Sequence, residues 1–209
     1  MIKTVLEPDI IIHIGDESDF HGMSFHDKEV ELFSAGHELE KAIEEVRDGI
    51  QNIFPKVYLL ESNHGSMIMR KAKHHQIPIA VLKPLPELYQ CPGFSWHEEI
   101  LLDTNFGPVY LCHGKTGGYG KLMKDMGVSA IQGHFHGKFE ITYHKTTMGT
   151  RFNMFVGCLV DYNSLAMRYG RNNIPKPILG CGWIDENGIP KLIPMLVNEK
   201  NEWIRKLTL

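Results

Sequence analysis

No apolar run in this sequence is long enough to span a bilayer. The longest are short, such as "IPIAVL" at 77–82. The opening "MIKTVLEPDI" carries acids early and has no small-residue cleavage site, which argues against a secretory signal. Cysteine is scarce. Cys91, Cys112, Cys158 and Cys181 stand far apart with no CxxC, so no disulfide framework is written here. Reduced thiols in a cytoplasmic protein are expected. Basic excess is also missing. A net charge of −3 supplies no general field for nucleic acid. Repeats, low-complexity stretches and linkers are absent too. The 209 residues fit one domain, large enough for a real core. What the chain does have is histidine, twelve in all.

Strands and helices alternate along the first two thirds. "DIIIHIG" (9–15) is a continuous isoleucine-rich run, as in a strand buried on both faces. "ELEKAIEEVRDGIQNIF" (38–54) has helical periodicity in Leu39, Ile43, Val46, Ile50 and Ile53, and Pro55 stops it. "KVYLLES" (56–62) predicts the next strand, and a basic helix runs from about Ser66 to His75. "GPVYLCHG" (107–114) predicts a strand that ends at a histidine. "GYGKLMKDMG" (118–127) predicts a short helix, and "VSAIQGHFHG" (128–137) a strand leading into a loop. The last third reads as strands and hairpins, with "ENG" marking one turn. The expected fold is therefore α/β: a two-layered β core flanked by helices, parallel strands first and antiparallel strands later.

In such layers functional groups gather at the C-terminal ends of strands. Four predicted strands end in residues that favour metals. They are Asp16 in "HIGDESD", Asn63 and His64 in "LESNHGS", His113 in "LCHGK", and the pair His134 and His136 in "GHFH". If the last pair is extended, residues i and i+2 share a face and both rings aim at one point. Glycine adjoins each cluster, which permits sharp turns and close approach.

The ordered set "GDESD" (15–19), "SNHG" (62–65), "CHG" (112–114) and "GHFH" (133–136) resembles the calcineurin-like metallophosphoesterases over nearly the whole chain. "VGCLVDYNSLAMRYGRNN" (156–173) resembles phage-encoded members, which implies the host cytoplasm as the compartment. The resemblance implies two divalent metals bridged by Asp16. Asn63, His113 and His134 complete one site, and His136 belongs to the other. Mixed oxygen and nitrogen ligands suit Mn, Zn, Fe or Ni alike. It implies hydrolysis of a phosphate ester by a metal-bridged hydroxide, with His64 protonating the leaving oxygen. The expected substrate is a small phosphoester, foremost a (deoxy)nucleoside monophosphate, and DNA is not favoured. A DNA-end nuclease and a non-catalytic metal-binding module are the alternatives. The metal identity and oligomeric state stay open.

Other residues read as ordinary. Asp19 is expected to brace the loop, and His13 to be a buried, hydrogen-bonded structural histidine. His21, His26, His74, His75 and Lys115 are expected at the surface, and Trp96 and His97 on an edge strand. One family element is missing: no DxH motif precedes Asp16. The expectation is a metallophosphoesterase-like domain lacking its first strand and part of its first helix. Its second metal would be weakly held, and its activity lower than that of a longer form.

Overall fold

The computed structural model describes residues 2–24, 34–115, 117–118, 120–163 and 176–206. The chain is mixed α/β, with parallel and antiparallel pairing as the sequence predicts. Its internal contacts gather into two units, Met1–Glu98 and Glu99–Leu209. Among the described residues no helix is long and apolar enough to cross a membrane.

The first unit opens with helix α1 (Ile2–Leu6) and strand β1 (Ile12–His13). Helix α2 (Ala35–Glu44) is capped by Ser34, whose hydroxyl accepts the His37 N–H at 3.3 Å. The helical path continues through wider turns over Glu45–Gln51 and ends short of Pro55. It starts earlier than the apolar spacing alone suggests, because the cap and not the first leucine sets the start. Strand β2 (Val57–Leu60), helix α3 (Met67–His74), helix α4 (Leu85–Leu88) and strand β3 (Phe94–His97) follow. The strands pair in parallel in the order β1-β2-β3. Val46 and Ala42, with Leu39, Ile43 and Ile50 beside them, pack on Val57, Leu59, Met67, Tyr89 and Phe94. This is the apolar stripe that the helical periodicity writes, except that Ile53, expected on it, lies past the helix end and is exposed.

One element differs in extent. The isoleucine-rich run at 9–15 yields a two-residue strand, half-buried, rather than a strand covered on both faces. β1 is the edge of its sheet and, among the described residues, pairs only with β2. Gly15 then turns the chain away with φ 94°.

The second unit holds strands β4 (Glu99–Thr104) and β5 (Gly107–Cys112), helix α5 (Lys121–Met126), and strands β6 (Ser129–Gln132), β7 (Phe139–Thr146) and β8 (Gly149–Val156). Its sheet order is β4-β5-β6-β8-β7. β5, β6 and β8 run parallel, and the two outer strands are antiparallel to their neighbours. A hairpin of β9 (Gly180–Ile184) and β10 (Pro190–Pro194) turns at the predicted "ENG", where Gly188 has φ 79°. Val109, Tyr110, Leu111 and Cys112 are all buried, so β5 is covered on both faces. Tyr110, Cys112 and Ala130 pack on Leu122 and Met123 of α5.

β4 falls in a stretch for which the sequence predicts no element, "EEILLDT", whereas β3 is the edge strand expected at Trp96 and His97. Polar residues there interrupt the apolar signal. β4 is the exposed edge of its sheet and alternates burial residue by residue.

Gly93 brings the β3 entry against the segment before β2. A side-chain carbon there would lie 2.0 Å from the Pro55 carbonyl oxygen, a backbone atom that cannot swing away. We expect Gly93→Ala to cost about 1–3 kcal/mol through overpacking. Urea denaturation measures it, and an unchanged midpoint would contradict the contact.

Candidate metal centre

In the first unit, parallel pairing puts the C-terminal ends of β1 and β2 at the same edge of the sheet. Asp16 follows β1, and Asn63 and His64 follow β2. Asp16 has φ 58°, a left-handed backbone that few non-glycine residues adopt. Such outliers concentrate at functional sites. Behind it Glu17 is buried, at 7% exposure. Glu17 Oε1 accepts from Trp96 Nε1 at 3.3 Å, and Trp96 stacks on Tyr89 with ring centres 5.5 Å apart. The Tyr89 hydroxyl lies 2.9 Å from Ser18 Oγ. A side-chain carbon at Gly65 would lie 2.5 Å from Glu17 Oε1, so any other residue after His64 would displace the buried carboxylate. Burial pushes the Glu17 carboxyl up to about 7, and the negative charge of Asp16 adds to this.

His64 is anchored by the same loop. Its Nδ1 lies 2.6 Å from the Asp19 carbonyl oxygen and 3.2 Å from Asp19 Oδ1. A carbonyl can only accept, so Nδ1 carries the hydrogen and Nε2 is the nitrogen left to serve a ligand. The hydrogen bond that His64 donates to Asp19 raises the His64 pKa to about 9 against the effect of burial, with the Asp16 charge assisting. Asp19 therefore braces the loop as predicted. His64 does not cap α3, whose N-cap residue is Ser66. The other Asp19 oxygen, Oδ2, is buried with no hydrogen-bond partner among the described residues.

In the second unit, parallel pairing of β5 with β6 does the same work. His113 follows β5 and is buried, while His134 lies just beyond β6 and is exposed. His113 Nε2 and His134 Nδ1 are 3.2 Å apart, with the ring planes at 74°. His134 also has a left-handed backbone, φ 63°. Gly114 makes the pair possible: a side-chain carbon there would meet His134 Cβ at 2.6 Å. The two loops are tied together. Buried Gln132 accepts the Lys115 N–H at 3.2 Å. Lys138 donates to the Gly117 carbonyl and sits over the rings of Phe135 and Phe155.

The donor chemistry fits a divalent cation. Two nitrogens bound to one ion at about 2.05 Å and a tetrahedral angle stand about 3.3 Å apart. The observed 3.2 Å matches that spacing. Without an ion, the same two nitrogens can share one proton.

His134 and His136 do not form the extended pair that their spacing suggests. The left-handed turn at His134 breaks the alternation, and the His136 N–H returns to the His134 carbonyl at 3.1 Å. His136 is half-buried, and its carbonyl accepts from Ile178. His21 is another correction: it is 8% exposed instead of solvated, in a tight turn (His21–Met23) beside α2. The Gly22 N–H in that turn bonds to Glu38, which pulls it onto the helix. His13 is half-buried and accepts the Gly15 N–H. His74 and His75 are exposed, as expected. Lys115 is exposed and pairs with Glu99 at 2.8 Å. Trp96 and His97 do lie on an edge strand, with His97 bonded to Ser95. His26 and residues 164–173 lie outside the described residues. Glu17 and its Trp96 partner were not legible in the sequence, since nothing in "GDESD" marks the middle acid as buried.

Comparison with protein-family models gives no match, and comparison with curated proteins gives none.

Gly114→Ala should displace His134 while leaving the sheet intact. The expected result is metal affinity weakened by about 10–100-fold, with the far-ultraviolet circular dichroism unchanged; equal affinity by titration calorimetry would refute it. Glu17 sets a pH dependence. Between its ordinary 4.5 and about 7 the folded chain keeps a proton that the unfolded chain releases, so stability falls as pH rises through that window. At about 1.4 kcal/mol per pKa step, the loss is at most about 3.5 kcal/mol. Metal-free Glu17→Gln should therefore resist urea better than wild type at pH 8 and show little slope between pH 5 and 7.

Proposed function

We propose that this chain is a metal-dependent phosphoesterase of calcineurin-like type, acting on a small phosphate ester such as a nucleoside monophosphate. The observation that carries the reading is the His113–His134 nitrogen spacing at the ends of adjacent parallel strands. The left-handed backbones at Asp16 and His134 support it, because both are proposed ligands. In this reading Asp16, Asn63, His113 and His134 hold one divalent ion, with Asp16 and His136 serving a second. The fold is then a metallophosphoesterase-like core.

Bound divalent ions would supply the positive charge that polarises a phosphoryl group and activates water. The chain's own residues supply the rest. Asp19 fixes the His64 ring through Nδ1, so Nε2 points a proton at the departing alcohol oxygen. As the bond from water to phosphorus forms, the ester P–O bond breaks and the leaving oxygen takes the His64 proton. Removing that acid typically costs about 10²–10⁴ in rate.

The test is hydrolysis of nucleoside monophosphates and an aryl phosphate with Mn, Zn, Ni or Mg added in turn, alongside metal content by mass spectrometry. Wild type should turn over with at least one metal. His64→Ala should lose about 10²–10⁴ of the rate while keeping its metal, and His113→Ala or His134→Ala should lose the metal itself. Full turnover in His64→Ala would remove it from the mechanism. No hydrolysis with any metal would leave a binding module.

A further inference from the structure

The apolar run "IPIAVL" does not enter a core. Every residue from Ile77 to Val81 is exposed. Ile77 is 44% exposed, Ile79 45% and Val81 69%. The run follows directly on α3, whose last turn carries Lys71, Lys73 and His74. No acidic residue lies between Glu61 and Glu87, yet Arg70, Lys71, Lys73 and Lys83 all fall in that interval of a chain whose net charge is −3. We infer that this surface of the first unit, the C-terminal end of α3 with the Ile77–Val81 segment, docks peripherally on an anionic lipid bilayer. The cations meet headgroup phosphates, and the aliphatic side chains enter the boundary between headgroups and acyl chains. The inference is separate from the phosphoesterase reading and does not rest on it.

Single exposed apolar residues are ordinary on a protein surface, but an unbroken exposed run is not. Basic residues in the last turn of α3 are accounted for by the helix dipole. The dipole gives no reason for the aliphatic run beside them. The segment is also held in shape. Gln76 turns the chain with φ 56°, and the Ile77 N–H closes on the Ala72 carbonyl at 2.8 Å. The Val81 N–H returns to the Pro78 carbonyl at 3.1 Å. Docking therefore needs little ordering of the backbone. Nearby partners leave the cations in water: Arg70 donates to the Asn63 carbonyl, and Lys83 faces Glu87 at 3.7 Å with both side chains exposed. Positive charge beside exposed aliphatic side chains is the pairing that an anionic bilayer rewards. A polynucleotide would use the cations and leave the aliphatics in water. Single strands are held by stacking on aromatic rings, and no Phe, Tyr or Trp lies between Tyr58 and Tyr89. A second copy of the chain would bring the same cations against one another.

The experiment is flotation of the full chain, with a chelator present, on two kinds of vesicle. One is phosphatidylserine and phosphatidylcholine in equal parts, and the other is phosphatidylcholine alone. Wild type should float with the first and stay behind with the second. Lys73→Gln should weaken binding about fivefold, and Ile79→Ser combined with Val81→Ser about tenfold. All three side chains are exposed, so the far-ultraviolet circular dichroism should not change. No flotation of wild type, equal flotation on neutral vesicles, or variants that float like wild type overturns the inference. The competing occupants are read in the same set of proteins. A gel shift of oligothymidylate or duplex DNA that Lys73→Gln weakens, without flotation, assigns a polynucleotide and overturns the bilayer. A dimer in analytical ultracentrifugation that the Ile79→Ser, Val81→Ser variant dissolves, again without flotation, assigns a second copy and does the same. None of these readouts involves ester hydrolysis, so the docking surface and the phosphoesterase reading can fail separately.

Discussion

Parallel strand pairing is the constraint from which the candidate centre follows. A parallel pair sends both C-terminal ends to one edge, and the connection between them must cross back over the sheet. β1, β2 and β3 obey this in the first unit, and β5, β6 and β8 obey it in the second. The loops that leave those ends are where Asp16, Asn63, His64, His113 and His134 stand. The crossovers supply the apolar layers that hold the strands: α2 with its wider-turned continuation in one unit, α5 in the other. Loop chemistry is thus positioned by residues that have no part in it.

At the loops themselves, close approach matters more than burial. His113 and His134 meet because the residue between His113 and the next loop has no side chain to keep them apart. Gly65 plays the corresponding part for the carboxylate of Glu17. The left-handed backbones at Asp16 and His134 are conformations that aspartate and histidine tolerate better than branched residues do. Hydrogen bonds then lock what the backbone allows, from His64 to Asp19 and from the loop after His113 to Gln132. The two ionisable groups of the first loop system are driven upward for opposite reasons. Glu17 is raised because burial disfavours its charge, and His64 because Asp19 favours its charge.

Much of this was written in the sequence. Continuous apolar runs gave β2, β5 and β6, and a 3.6-residue stripe gave the α2 layer. The candidate ligands were visible because each cluster of them follows such a run and includes or adjoins a glycine. The misreadings share one cause, which is that side-chain direction in a loop depends on backbone angles that composition does not encode. The His134–His136 spacing implied one face only if the chain stayed extended, and it does not. His21 looked solvated among polar neighbours, yet its turn folds onto α2. The burial of Glu17 depends on Trp96 and Tyr89, more than seventy residues away, a relation that no local pattern carries.

Trp96 gives the loop after β1 an optical probe of its own. Its indole N–H touches Glu17, one residue from Asp16, and its ring lies flat against Tyr89. Tryptophan emission follows the polarity and the charge around the ring, so a cation arriving at Asp16 or a proton leaving Glu17 would alter it. The two other tryptophans, Trp183 and Trp203, lie in the second unit, far along the chain. Replacing them would leave a single fluorophore reporting on the carboxylate loop without any attached dye.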